Sequence, residues 1–229
     1  MKSTLVFWVI LFLGQGISAQ GGGVLVSAPN NRPVYMKEIF GMHIERTQLA
    51  GIDGTPFLFD QWLLARVQLP DDRIADSIYI RLNAFTNKVH FKNEEGEEMQ
   101  ASIPIKEITI IDNNPLWHNA IFRTGYTDDF KTFFLVLADG KKMQLVKKMM
   151  IIKWETKVLG GEDKRTFQPD QELFFSANGS LFKQNKKCSA LTEIFGTNTE
   201  EVLRFINTND IKCNREADMR KLVDYFNSL

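Results

Sequence analysis

The sequence predicts a mainly β protein, α+β overall, in which antiparallel hairpins form an open barrel or sandwich and a small α-helical segment closes the chain. Three observations carry that expectation. Ile78, Ile80 and Leu82, then Val89 and Phe91, alternate with polar neighbours at the two-residue period of a half-buried strand. Turn-forming residues separate the apolar runs, above all Asn178-Gly179 between Leu173-Phe174-Phe175 and Leu181-Phe182. After residue 186 the period becomes helical: Met219, Leu222, Val223 and Phe226 fall at i, i+3, i+4 and i+7.

The chain has 229 residues, 44% hydrophobic, with 18 Phe, enough apolar material for a packed core and too much for a disordered chain. Its first residues follow the order of a secretory signal. Lys2 precedes the unbroken apolar run Leu5 to Leu13, and the small-residue stretch Ile17-Ser18-Ala19 places cleavage after Ala19. A helix as short as that run rises about 14 Å, whereas a bilayer core near 30 Å requires about 20 residues. Residues 1–19 are therefore expected to be a signal peptide, and the mature chain to have no membrane span.

Residues 20–57, with Pro29, Pro33 and Pro56 and the pair Asn30-Asn31, read as an irregular lead-in holding at most a short strand or helix. Residues 58–185 read as the antiparallel β domain. Strands are expected at Trp62–Leu69, around Ile78–Leu82 and Val89–Phe91, at Met99–Ile105 and Ile108–Ile111, and from Ile121. Phe133 to Leu137 is apolar at every position, as suits a strand covered on both faces. Asp139-Gly140 turns the chain into a strand over Lys142–Lys148, which Met149–Trp154 either continues or follows as a separate strand. Residues 186–229 read as a helical segment packed on the β domain. Thr197 and Glu200 fit a capping box for one helix, and Asn214 fits the N-cap of the last. The stripe on that last helix is read as core, because so short a helix is marginal alone in water.

The two cysteines, Cys188 and Cys213, both lie in the helical segment. In an exported chain they can form a disulfide; two separate buried thiols are the alternative. Lys plus Arg and Asp plus Glu number 28 each, so the basic excess of a nucleic-acid binder is missing.

No catalytic, metal or cofactor motif is legible. His43, His90 and His118 are widely separated, His90 lies between two lysines as a solvated strand residue would, and His118 sits in a loop where it could serve as a base. Asp71-Asp72 and Asp128-Asp129 read as turns, and the lysines 183, 186 and 187 as a solvated edge. Asn178-Gly179-Ser180 matches a glycosylation acceptor, meaningful only in a eukaryotic host. Trp62, Trp117 and Trp154 lie at or beside strand ends, where aromatic rings can line a site for an apolar or sugar ligand.

In its order of parts the chain is similar to a group of uncharacterised exported β-rich proteins with a C-terminal helical tail, of the kind common in Bacteroidetes-type bacteria. Gly54-Thr55-Pro56-Phe57-Leu58-Phe59 leading to Trp62, the hairpin Glu172-Leu173-Phe174-Phe175, and the closing Leu222-Val223-Asp224-Tyr225-Phe226-Asn227 carry the likeness. It implies export and the β-plus-helix layout, and no activity or catalytic residue. The expected function is a non-enzymatic secreted, periplasmic or cell-surface module that binds a protein or small-molecule ligand. The alternative is a hydrolase of cell-wall or glycan material, its site assembled from dispersed carboxylates or His118.

Overall fold

The computed structural model describes residues 41–43, 51–93, 95–127, 130–157, 159–185 and 188–229. The expected signal segment, most of the lead-in and the pair Asp128-Asp129 lie outside them.

The described strands are β1 (Gly41–His43), β2 (Leu63–Gln68), β3 (Ile74–Asn83), β4 (Lys88–Lys92), β5 (Glu98–Ala101), β6 (Glu107–Ile110), β7 (Ile121–Arg123), β8 (Phe134–Ala138), β9 (Met143–Thr156), β10 (Lys164–Ala177) and β11 (Ser180–Lys183). They form one open 11-stranded sheet in the order β1-β5-β4-β3-β2-β6-β7-β8-β9-β10-β11. Each neighbouring pair in that sheet is antiparallel. Helices α1 (Thr192–Phe195), α2 (Thr199–Thr208) and α3 (Glu216–Ser228) follow.

The sheet buries its apolar side chains in two clusters. In the first, Leu63, Ala65 and Val67 of β2 meet Ile78, Ile80 and Leu82 of β3, Val89 and Phe91 of β4, and Ile108 and Ile110 of β6; no helical residue contributes. A core filled by the sheet itself requires the sheet to curl, and β3 supplies one device for this. Ala65 pairs with Ile78 but Val67 with Ala75, so β3 carries an extra residue there, a bulge in which Ser77 takes φ 58°. The bulge lets Ala75 and Ile78 both face the core, a spacing that strict alternation forbids. Asp76 holds the bulge, accepting from its neighbour's main-chain N–H at 2.8 Å and from Arg66 Nη2 at 2.8 Å.

The second cluster lies between β8–β10 and the helices. Leu145 and Met143 of β9 and Phe175 and Ala177 of β10 meet Met219, Leu222, Val223 and Phe226 of α3 and Val202 and Ile206 of α2. All four stripe residues of α3 are buried, as expected of a core helix, and each contributes about 2 kcal/mol of transfer free energy.

Both expected helix starts are displaced. The chain caps α2 with Asn198, without a side-chain bond, so Thr197 and Glu200 form no capping box; Thr199 Oγ1 donates instead to Gly196 O at 2.7 Å. Arg215, in extended conformation, caps α3 in place of Asn214.

Met149–Trp154 continues β9, which pairs with β10 without interruption from Met143–Ala177 to Thr156–Lys164. The half of β10 at 164–171 is not apparent as a strand in the sequence, because it is polar and contains Pro169. Proline is tolerated there: on that edge Asp53 bridges only Thr166 and β11 pairs only with Phe174–Ala177, so no neighbour needs an N–H from Pro169. This outer half of the ribbon leans on the β3–β4 connection, where Ile151 N donates to Ala84 O at 3.2 Å and the Phe167 and Phe85 rings lie 5.2 Å apart.

The C-terminus is fastened by one side chain. Asn227 Oδ1 accepts from Lys142 N (2.9 Å) and Met143 N (3.2 Å), while Nδ2 donates to Met143 O (2.7 Å) and Val223 O (2.8 Å). Gly140 leaves room for it, since a Cβ there would lie 2.2 Å from Asn227 Nδ2. Replacing Asn227 by Ala is expected to lower unfolding free energy by about 2 kcal/mol in a urea titration, because it strands main-chain groups at the β8–β9 turn. Gly140→Ala is expected to cost a similar amount by displacing the same amide.

Candidate functional site

The three tryptophans have different surroundings, and no ring contact among the described residues joins any two of them. Trp117, half-buried, packs against Phe59 and Phe122 with centroids 5.7 Å from each, and its loop is shaped by Asn114 Oδ1, which accepts from Leu116 N at 3.0 Å. It belongs with the first core. Trp62, just before β2, lies under two cations, with the Arg81 guanidinium 4.5 Å and Lys92 Nζ 5.1 Å from its ring centre. Trp154, opposite Thr166 on the ribbon, is 52% exposed.

Around Trp62 the outer face of β3–β5 holds a polar cluster that the sequence did not reveal. Arg81 is sandwiched between Trp62 and Phe57, whose ring centre lies 3.9 Å from the guanidinium carbon. Glu98 Oε1 accepts from Arg81 Nη2 at 2.6 Å and from His90 Nδ1 at 2.8 Å. The solvated His90 expected from its lysine neighbours is overturned: the residue is only 3% exposed. Strand alternation does point it to the outer face, but that face is covered. Phe57 stands edge-on to the imidazole at 5.0 Å, brought there by its bridge to Asn83.

Burial holds the His90 imidazole below its ordinary range, and the hydrogen bond to Glu98 opposes this without cancelling it. Burial raises Glu98, but the hydrogen bonds from His90 and Arg81 outweigh it and leave the carboxyl below the usual carboxylate range. An ionised Glu98 facing a neutral imidazole places the proton on Nδ1, leaving Nε2 with a lone pair. That is the arrangement of a carboxylate-oriented general base. Here, however, His90 Nε2 is buried without a hydrogen-bond partner, as is Arg81 Nε, so no substrate atom reaches it in this conformation.

His118 is exposed and donates from Nδ1 to the main-chain oxygen of Asp112 at 2.9 Å. The side chain of His43 lies outside the described residues. Lys183 pairs with Glu172, whereas Lys186 and Lys187 lie outside the described residues. Asn178 and Gly179 form the expected left-handed hairpin turn, with φ 51° and 73°, and Asn178 and Ser180 are exposed at its tip. Among the described residues no group of His, Cys, Asp and Glu gathers as a metal site.

Cys188 and Cys213 are joined in a disulfide with a Cα–Cα distance of 5.4 Å, which decides between bridge and separate thiols. The bridge ties the segment before α1 to the connection between α2 and α3.

Trp154 belongs to an apolar stripe on the ribbon. Met150, Ile152 and Trp154 share its outer face, while Ile151 points inward and is buried. Beyond the strand ends, Leu159 is 106% exposed in the connection between β9 and β10.

The architecture defines the class: a mainly antiparallel β, α+β protein with a disulfide-stapled helical tail. Compared with known proteins, the chain matches no family model, no curated protein and no solved structure.

Two measurements test the buried groups. In the unfolded chain His90 takes up its proton near the ordinary value of 6.5, and in the folded chain only below it. Stability is then complete above about pH 6.5 and declines as pH falls through that window; Glu98 adds a second decline only below its ordinary 4.5. The melting temperature is expected to drop between pH 7.5 and 5.5, and to drop less in His90→Gln. Replacing both cysteines by Ser is expected to lower unfolding free energy by about 3 kcal/mol, measured by urea titration against the oxidised parent.

Proposed function

We propose that this chain is an exported, non-enzymatic binding protein that engages its partner through the outer face of the β9–β10 ribbon. One observation carries the reading: Met150, Ile152 and Trp154 lie along one face of the β9–β10 strand pair, with Trp154 half exposed. Grouped apolar side chains left in water mark interaction surfaces, and tryptophan is the residue most enriched among those that dominate binding energy. Export to the periplasm, the cell surface or the medium is supported by the leader-like order of residues 1–19 and by the Cys188–Cys213 disulfide. No helix among the described residues is long and apolar enough to cross a membrane.

The test compares the parent with Ile152→Ser/Trp154→Ser. Both side chains are exposed, so the melting temperature is expected to stay within about 2 °C of the parent. In a thermal-shift screen of oligosaccharides, phospholipids and wall fragments, a ligand of this face raises the melting temperature of the parent and not of the variant. Release of reducing ends or wall fragments by the purified protein would instead establish the hydrolase.

A further inference from the structure

A second surface, independent of the ribbon, lies where β4 begins and β5 ends. There a depression of about 140 Å³ opens over the first core. Its floor is apolar: Val89, Ile105 and Phe133 are all core residues. Ile103 and Phe130 add to its lining, and Lys88, exposed, brings a cation to it. Lys131 also contributes to the lining, and among the described residues no Asp or Glu does.

Phe130 sets this depression apart from an ordinary dimple. Its φ is 46°, in the left-handed region that a bulky side chain avoids and that Asn or Gly adopts freely. The ring is nevertheless 40% exposed, so core burial does not compensate for the strained backbone. It lies across Gly125, where a Cβ would stand 3.1 Å from Phe130 Cε1, so the glycine leaves room for the ring. A strained residue kept with its side chain at the surface is the pattern of binding sites, where the ring's position and not its burial is what the conformation serves.

We infer that this depression binds a small amphiphilic anion, an acyl or aryl group of about six carbons carrying a carboxylate or phosphate. The size follows from the volume, close to the roughly 150 Å³ of a cavity that accepts benzene. The apolar floor receives the hydrocarbon, Phe130 covers its flank, and Lys88 attracts the head group, in the usual division of a pocket between apolar lining and a few polar groups.

The test is an NMR titration of the full chain with hexanoate, hexyl phosphate, 1-hexanol and hexylammonium. Saturable shifts of the amides at 87–89, 103–105 and 130–133 are expected with hexanoate or hexyl phosphate, whichever head group the site prefers. Hexanol should bind about threefold more weakly and hexylammonium weaker still. Phe130→Asn relieves the strained backbone while deleting the ring, so it should melt no lower than the parent yet lose about tenfold in affinity. Lys88→Gln should abolish the preference for the anions over hexanol. Hexanol binding as tightly as the anions, shifts confined to other residues, absence of any shift, or a folded Phe130→Asn with parental affinity would each overturn the site.

Discussion

The pairing of β9 with β10 is the constraint on which the rest of the structure depends. Both strands are 14 residues long, and every position from Met143 to Thr156 has a partner. One half of the ribbon supplies Met143, Leu145, Phe175 and Ala177 to the core beneath the helices. The other half reaches Ala84 and Phe85 at the end of β3. A single hydrogen-bonded ladder thus runs from the helix-covered core to the β3–β4 connection.

Helix α3 is held to that ladder at both ends. Lys147 Nζ on β9 meets Glu216 Oε2 in the first turn at 2.5 Å, and Asn227 in the last turn binds the backbone at the start of β9. Between them the apolar stripe of α3 fills the core. The disulfide constrains the neighbouring segments, which matters because α1 is a single turn and α2 is short for independent stability.

The polar cluster of Arg81, His90 and Glu98 and the exposed ribbon stripe sit at opposite extremes of solvation. In the first, charge is withdrawn from water and compensated by Glu98 and two aromatic rings. In the second, Ile152 and Trp154 remain in water while Ile151, on the opposite face of the same strand, is buried. The depression at Phe130 combines the two conditions, with an apolar floor reachable from solvent and cations in its lining.

Features that depend on neighbours along the chain were legible in the sequence. The two-residue alternation located β3 and β4, Asn178-Gly179 specified its hairpin through the positive φ both residues tolerate, and the spacing of Met219, Leu222, Val223 and Phe226 gave α3 and its buried face. The Trp117 ring had a residue type and position that pattern alone could not sort between core and site. What required the tertiary structure depends on residues distant in sequence. Phe57 lies far along the chain from His90, so nothing local announces that the imidazole is covered. The bulge at Ser77 and the polar half of β10 exist because a partner strand accepts them. Local periods follow from backbone geometry and are carried by every short segment; burial of a particular side chain is decided only when the sheet has curled and distant segments meet over it.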